Sequence, residues 1–350
     1  MKPIKTALLS FGMSGQVFHA PFIEMLDEFQ LYAVWERSKN LAVEKYPQIK
    51  TAKSIDQIFS DKEVELVVVN TPNYTHYEYT KNALNANKHV IVEKPFTTTS
   101  SEAEELILLA KQKNRMLTVY HNRRYDSDYK TVKKILNEGW LGEIVEVEIH
   151  YDRYKTNLSP KLHKETPGAG KGSVFDLGSH LIDQALQLFG MPNALFADIQ
   201  IVRPYSLVHD YFEILLYYDK SRVRLKSSYL VRESLPGYVL HGTLGSFVKA
   251  KTDVQENDLQ SGRRPGTDDW GTEPDSEKGL LHTEKDGEIL RYYITSEKGD
   301  YGDYYKQISK AIREDGQVPV TAEEGLAVIQ IIEKAVQSNR ERKVVQINLP

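Results

Sequence analysis

Lys94, Asp176 and His180 stand in patterns that give them chemical potential. Lys94 ends the run His89-Val90-Ile91-Val92-Glu93-Lys94-Pro95, an apolar β-type stretch that stops at a proline. Proline pushes the residue before it into extended geometry, so Lys94 is expected at the carboxyl edge of a strand. In open α/β sheets that edge is where ligands bind, which makes Lys94 the leading catalytic candidate. Asp176 and His180 lie in Gly172-Ser173-Val174-Phe175-Asp176-Leu177-Gly178-Ser179-His180, read as the start of an amphipathic helix running to about Phe189. Asp176 takes the N-cap position, and His180, four residues on, shares nearly the same face. A helix N-terminus disfavours imidazolium while a carboxylate favours it, so the pair can poise a neutral histidine to take a proton. The plainer alternative is that Asp176 only caps the helix and His180 packs in the core. Asp183 points the same way and is a further hydrogen-bonding candidate.

A second pattern, Ser10-Phe11-Gly12-Met13-Ser14-Gly15, fits a dinucleotide fingerprint with serine in place of the first glycine. Gly12 would let backbone approach a pyrophosphate, and Gly15 would let the following helix pack on the strand, its N-terminus facing the anion. An ordinary strand-to-helix turn is the alternative. Glu36, at the expected end of the second strand, favours the dinucleotide reading, because an acid there accepts hydrogen bonds from the adenine ribose. Arg37 and Ser38 follow and could hold a 2′-phosphate, which leaves NAD and NADP both open. Glu36 would repel that phosphate, so the lean is to NAD.

The elements that must position these residues alternate at first. Ile4–Ser10, Leu31–Glu36, Glu65–Asn70, His89–Glu93 and Met116–His121 read as strands. Gln16–Glu28, Leu41–Tyr46, Thr75–Ala86 and Ser101–Lys113 read as helices between them. Such alternation predicts an α/β, doubly wound parallel sheet over residues 1–122. From 123 to 350 the pattern changes to a helix, Asp128–Glu138, and then long strands, Glu143–Asp152, Ala194–Arg203, Tyr211–Asp219 and Arg222–Leu230, which suggest an antiparallel sheet. Lys251–Asp286 is polar and rich in Gly, Pro and Asp, and is expected to be one long loop. Helices Tyr304–Glu314 and Ala322–Asn339 and a short strand, Val344–Ile347, close the chain.

Composition narrows the classes. The 350 residues are 40% hydrophobic and 27% charged, enough for two domains with a sizeable core. A net charge of −4 gives no basic footprint for nucleic acid or an anionic membrane. With no cysteine, disulfides, thiolate metal sites and cysteine nucleophiles are excluded. The first residues are too short for a signal h-region and no apolar stretch reaches membrane-spanning length, so a cytoplasmic soluble protein is expected. No metal site is expected, since no His/Asp/Glu grouping has ligand spacing. His19 reads more as a helix-packing residue than as a ligand contact. His163 reads equally as pocket-lining or surface, and Arg123 and Arg124 more as salt-bridge partners than as polyol contacts.

Taken together, the glycine turn, Thr71-Pro72-Asn73…His76, Glu93-Lys94-Pro95 and Asp176…His180 resemble the Gfo/Idh/MocA family of nicotinamide-dependent oxidoreductases over essentially the whole chain. Ser14-Gly15-Gln16-Val17-Phe18-His19-Ala20-Pro21 and His121-Asn122-Arg123-Arg124-Tyr125 resemble the subgroup that contains NADP-dependent scyllo-inositol dehydrogenase. Ser10 and Glu36 depart from the usual pattern, and both departures concern the cofactor. The resemblance implies a Rossmann domain, then an α+β domain with a large open, mainly antiparallel sheet whose outer face makes a homodimer or homotetramer. It implies reversible oxidation of a secondary alcohol on a small sugar or cyclitol. Lys94 would stabilise charge on the reacting oxygen, His180 would accept the proton, and Asp176 would orient the substrate or the histidine. The cofactor would be held by Ser10, Gly12, Met13, Ser14, Gly15, Glu36, Arg37, Thr71, Pro72, Asn73, His76, Glu93, Lys94 and Asn122, and Arg123 and His163 could join the substrate contacts. A non-catalytic dinucleotide-sensing regulator of the same fold is the competing reading, against which Lys94, Asp176 and His180 argue.

Overall fold

The computed structural model describes residues 2–347, without the side chains of Leu162 and His163. They fall into two compact units. The first is the chain up to Tyr125 together with Val254–Trp270 and Asp300–Ala327; the second is Asp126–Asp253, Gly271–Gly299 and the chain from Val328 on. The chain thus leaves the first unit after Tyr125 and later returns to it twice.

The first unit holds a six-stranded parallel sheet, β1 (Ile4–Leu8), β2 (Phe29–Trp35), β3 (Lys50–Ala52), β4 (Leu66–Val69), β5 (His89–Glu93) and β6 (Leu117–Tyr120), in the order β3-β2-β1-β4-β5-β6. The order reverses between β1 and β4, the switch point where a doubly wound sheet binds its ligand. Leu66, Val67, Val68 and Val69 of β4 are all fully buried, as a strand covered on both faces requires. The helix Ser100–Lys113 is fixed by a capping box between Thr99 and Glu102 and stops at Asn114, whose φ of 49° is left-handed. The helix expected over Gln16–Glu28 is shorter and irregular: a π turn, Gly15–His19, leads into an α-helix, Ala20–Met25.

The second unit holds a nine-stranded sheet. Its strands are β7 (Ile144–His150), β8 (Ala194–Gln200), β9 (Tyr211–Tyr217), β10 (Arg222–Ser228), β11 (Tyr238–Gly242), β12 (Gly245–Lys249), β13 (Gly279–Lys285), β14 (Glu288–Ile294) and β15 (Val345–Gln346). They run in the order β14-β13-β12-β11-β7-β10-β9-β8-β15. The pairing is mainly antiparallel, but β7 and β10 pair in parallel, so the sheet is mixed. Phe212, Ile214 and Leu216 of β9 are fully buried while their neighbours are half-exposed, the alternation of a sheet with one covered face. The expected loop over Lys251–Asp286 is corrected: it contains a helix, Gln255–Gln260, a 3-10 turn, Asp275–Glu277, and β13.

Candidate active site

In the first unit, β1 runs into the glycine turn. Ser10 fills the place of the missing glycine by using its hydroxyl, which accepts a hydrogen bond from the Gly12 N–H at 3.2 Å. A Cβ on Gly15 would lie 2.5 Å from the Ser10 carbonyl oxygen and 3.0 Å from Asn70 Nδ2, so only glycine lets this turn seat on the strand. Gly12 and Met13 are exposed on the outside of the turn, open to a ligand. The turn therefore fits a pyrophosphate, with backbone rather than side chain at the point of closest approach.

At the end of β2, Glu36 is half-buried and its Oε2 accepts from the Ala42 N–H at 2.9 Å, which ties the carboxylate to the start of helix Leu41–Lys45. Arg37 is exposed beside it. After β4, the Thr71 and Thr75 hydroxyls lie 2.6 Å apart, and Thr75 donates to the Pro72 carbonyl at 2.7 Å. Pro72 is exposed and Asn73 half-buried. His76, also expected at the cofactor, is only 1% exposed. Its ring nitrogens lie 2.9 Å from the Pro95 carbonyl and 2.9 Å from the Thr71 carbonyl, so it staples the ends of β4 and β5 together. Burial holds its pKa below the ordinary histidine value, although both carbonyl contacts pull it upward.

Lys94 sits immediately after β5, half-buried, ahead of a cis peptide to Pro95. Glu93 before it is the hub of a part-buried network. His19 Nε2 lies 3.0 Å from Glu93 Oε1, the Ser14 hydroxyl donates to the same oxygen, and the Lys94 N–H lies 3.2 Å from Oε2. Burial opposes ionisation of Glu93, yet the bonds from His19 and Ser14 and the charge of Lys94 hold its carboxyl below the usual range. An ionised carboxylate only accepts, so His19 Nε2 carries the hydrogen of that bond, and Nδ1 lies 2.6 Å from the Tyr305 hydroxyl. His19 is fully buried, and its part in this network is more than the helix packing expected of it. Tyr305, 286 residues away, carries no sequence signal that links it to the glycine turn.

Asn122 opens a 3-10 turn, Asn122–Tyr125, and is buried. Arg123 beside it is 7% exposed; its Nη1 donates to the Tyr301 hydroxyl at 3.0 Å and its Nη2 pairs with Glu256. Of its two readings, the salt-bridge one is what the structure shows within this unit.

In the second unit, Asp176 is not an N-cap. It lies inside a π turn, Val174–Gly178, that leads into the α-helix Ser179–Phe189. The Asp176 N–H donates to the Gly172 carbonyl at 3.0 Å, and the side chain, 39% exposed, lies 3.9 Å from Lys164 Nζ. His180 is 6% exposed and Asp183 2%, and the Tyr151 ring lies 6.5 Å from that of His180. Asp176 also raises the pKa of Arg153, against the burial that lowers it, so Arg153 stands within its field. His163 belongs to the short helix Leu162–Glu165, but its side chain lies outside the described residues. Lys94 thus belongs to one unit and Asp176 and His180 to the other. Among the described residues no His/Asp/Glu group could hold a metal ion, and no helix is long and apolar enough to cross a membrane.

Two family models match the chain: the NAD-binding Rossmann fold of the oxidoreductase family over residues 4–121, and its C-terminal alpha/beta domain over residues 133–347. The scyllo-inositol 2-dehydrogenase (NADP(+)) IolW of Bacillus subtilis is 39% identical over 344 residues, which cover 98% of this chain and 96% of that one. The D-glucoside 3-dehydrogenase of Escherichia coli is 26% identical over 54% of this chain and 55% of its own. A Bacteroides fragilis protein of known structure superposes with a TM-score of 0.91 at 47% identity, covering 99% of this chain and all of its own.

Proposed function

Because the chain belongs to the Gfo/Idh/MocA family of NAD(P)-dependent oxidoreductases, we propose that it oxidises, reversibly, a secondary alcohol on a sugar or an inositol-like cyclitol. The nicotinamide, when bound, supplies the hydride chemistry. The glycine turn, with Glu36 and the Thr71–Asn73 segment, would hold it. The chain's own residues then position and polarise: Lys94 donates to the reacting hydroxyl and stabilises charge on its oxygen, and His180 takes the proton, with Asp176 orienting it. The observation that carries this reading is Lys94 at the carboxyl end of β5, backed by a half-buried Glu93 carboxylate that His19, Ser14 and the Lys94 N–H hold in place. We read the protein as cytoplasmic and as a homodimer or homotetramer.

For the cofactor we propose a preference for NAD, because the Glu36 carboxylate, fixed at the end of β2 by the Ala42 N–H, would add like-charge repulsion to a 2′-phosphate. A panel of cyclitols and sugars, each offered with NAD and with NADP and followed at the reduced nicotinamide band, tests both statements. Turnover of no alcohol with either cofactor, despite tight cofactor binding, would favour a dinucleotide sensor. Tighter binding of NADP than NAD by the unaltered protein would remove Glu36 from the ribose.

A further inference from the structure

His150 ends β7 and is a titratable group that the proposed reaction does not use. On β7 and β10, Val147, Ile149, Val223 and Leu225 are buried, so Glu148, His150, Arg224 and Lys226 point to the opposite face of the sheet. There His150 is only 3% exposed and stands between two carboxylates: Nε2 lies 3.0 Å from Glu148 Oε2, and Nδ1 lies 3.4 Å from Asp152 Oδ2. Each carboxylate is held from its other side as well. Arg224 Nη1 donates to Glu148 Oε1 while its Nε lies 3.1 Å from Glu213 of β9, and the Ser228 N–H donates to Asp152 Oδ1 at 2.9 Å. Lys226, the register partner of His150, is a second cation on β10. Towards β11 the neighbours Gly237 and Val239 carry no charge, and Glu146 and His241 stand one pair further along the strands.

A neutral imidazole donates from one nitrogen and the imidazolium from both, so the charged ring is the form that serves two carboxylates at once. Burial disfavours that charge, but the bonds to Asp152 and Glu148 outweigh it and hold the His150 pKa above the ordinary 6.5. Glu148 in turn is held below the usual carboxylate range, against its burial, by the bonds from His150 and Arg224.

Asp152 ties this cluster to the candidate site. It lies between Tyr151 and Arg153, which continue β7 along the end of β10: the Tyr151 N–H donates to the Lys226 carbonyl at 3.0 Å and the Arg153 N–H to the Ser228 carbonyl at 2.9 Å. Alternation along an extended segment turns these two side chains away from His150 and Asp152. On that side the Tyr151 ring lies 6.5 Å from the His180 ring, Arg153 Cζ lies 5.2 Å from the centre of the Tyr151 ring, and Arg153 stands in the field of Asp176. We propose that His150, as an imidazolium bridging Glu148 and Asp152, is a positioning residue that fixes this segment and thereby holds Tyr151 and Arg153 against His180 and Asp176. The bridge responds to pH. Its stabilisation is complete below the ordinary 6.5 and is lost as pH rises through the higher folded value. The catalytic consequence rests on the dehydrogenase reading of Asp176 and His180.

Proton–nitrogen NMR of the full chain labelled in its histidine rings, titrated between about pH 5 and 10, reads His150 directly, as the resonance missing from both His150→Gln and His150→Arg. It should titrate above 6.5. Kinetics read the positioning. At pH 6, His150→Gln should lower kcat for alcohol oxidation about tenfold with cofactor affinity unchanged, and that ratio should shrink toward one at high pH, where the wild-type bridge is broken too. His150→Arg, which keeps a charge able to bond both carboxylates, should restore most of the rate at pH 6 and hold it at high pH. A loss that is the same at every pH would make His150 a packing residue and overturn the proposal. So would a His150 that titrates at or below 6.5, or wild-type kcat in folded His150→Gln. If the wild type turned over no alcohol, the dehydrogenase reading would fail, and the His180 ring resonance would decide the bridge instead. It should shift in His150→Gln at pH 6 and match the wild type at high pH; no shift at either pH overturns the proposal.

Discussion

Both candidate regions open a helix with a π turn, Gly15–His19 in the first unit and Val174–Gly178 in the second, but the two turns spend the distortion differently. The first drives inward. Gly15 leaves no room for a Cβ against the Ser10 carbonyl, and His19 is fully buried between Tyr305 and Glu93. The second faces outward at its centre, where Asp176 is 39% exposed beside Lys164, while His180 follows in regular helix. Single π turns inside helices recur at functional sites because they re-aim side chains. Here one anchors a rigid strand end and the other presents a carboxylate.

The comparison makes Lys94 the product of the anchored side, and its loss should have the largest effect. Lys94→Met should lower kcat by about 10²–10³, the usual result of removing a preorganised donor to developing charge, with cofactor affinity almost unchanged. A variant that kept more than half the wild-type kcat would take Lys94 out of the chemistry. On the presenting side, His180→Asn should slow alcohol oxidation by about 10²-fold or more. Oxidation needs a base able to accept a proton, so the wild-type rate should fall on the acid side, and carbonyl reduction should show the opposite trend. Near wild-type oxidation with an unchanged acid limb would make His180 structural and Lys94 the next candidate for the base.

The two glycines sharpen the contrast at lower cost. Gly15→Ala puts a Cβ 2.5 Å from backbone and should destabilise by about 1–3 kcal/mol and weaken cofactor binding. At Gly178 the nearest atom to an added Cβ is Phe212 Cζ at 3.4 Å, an ordinary contact. Gly178→Ala should therefore be neutral, or stabilising by up to about 1 kcal/mol, since alanine favours helix. Denaturant midpoints of the two variants check this; equal losses would mean that both turns are packed alike.

How much of this was legible depends on the range of the interaction. The parallel strands are continuous apolar runs such as Leu66–Val69, and the capped helix after Thr99 follows local rules, so both could be read from the sequence. Strand β3 was missed because Lys50–Ala52 is three residues with no apolar pattern, and β13 because it begins inside a polar stretch. Asp176 looked like a cap since an acid before an apolar period usually is one; a π turn leaves no repeat of its own in the sequence. Lys94 was legible from its strand and proline. Its support was not, because the Tyr305–His19 contact spans 286 residues and Arg123–Glu256 spans 133.

The smallest expected effect tests that invisible support. Tyr305→Phe keeps the buried ring but removes the hydroxyl that bonds His19 Nδ1, so the ring that donates to Glu93 is held less firmly. The loss of one buried hydrogen bond should cost about 1 kcal/mol. Glu93 gives the effect a pH signature. Its folded carboxyl is held below the ordinary value of 4.5, so its stabilisation is present above that value and is lost as pH falls through the folded pKa. A looser His19 lets the Glu93 carboxyl rise toward normal, and the acid limb of unfolding should move upward by less than about one pH unit. Urea unfolding from pH 7 down to 3 measures both quantities. If Tyr305→Phe lost stability equally at every pH, Tyr305 would be packing alone, and the anchoring of the first π turn would end at the His19–Glu93 pair.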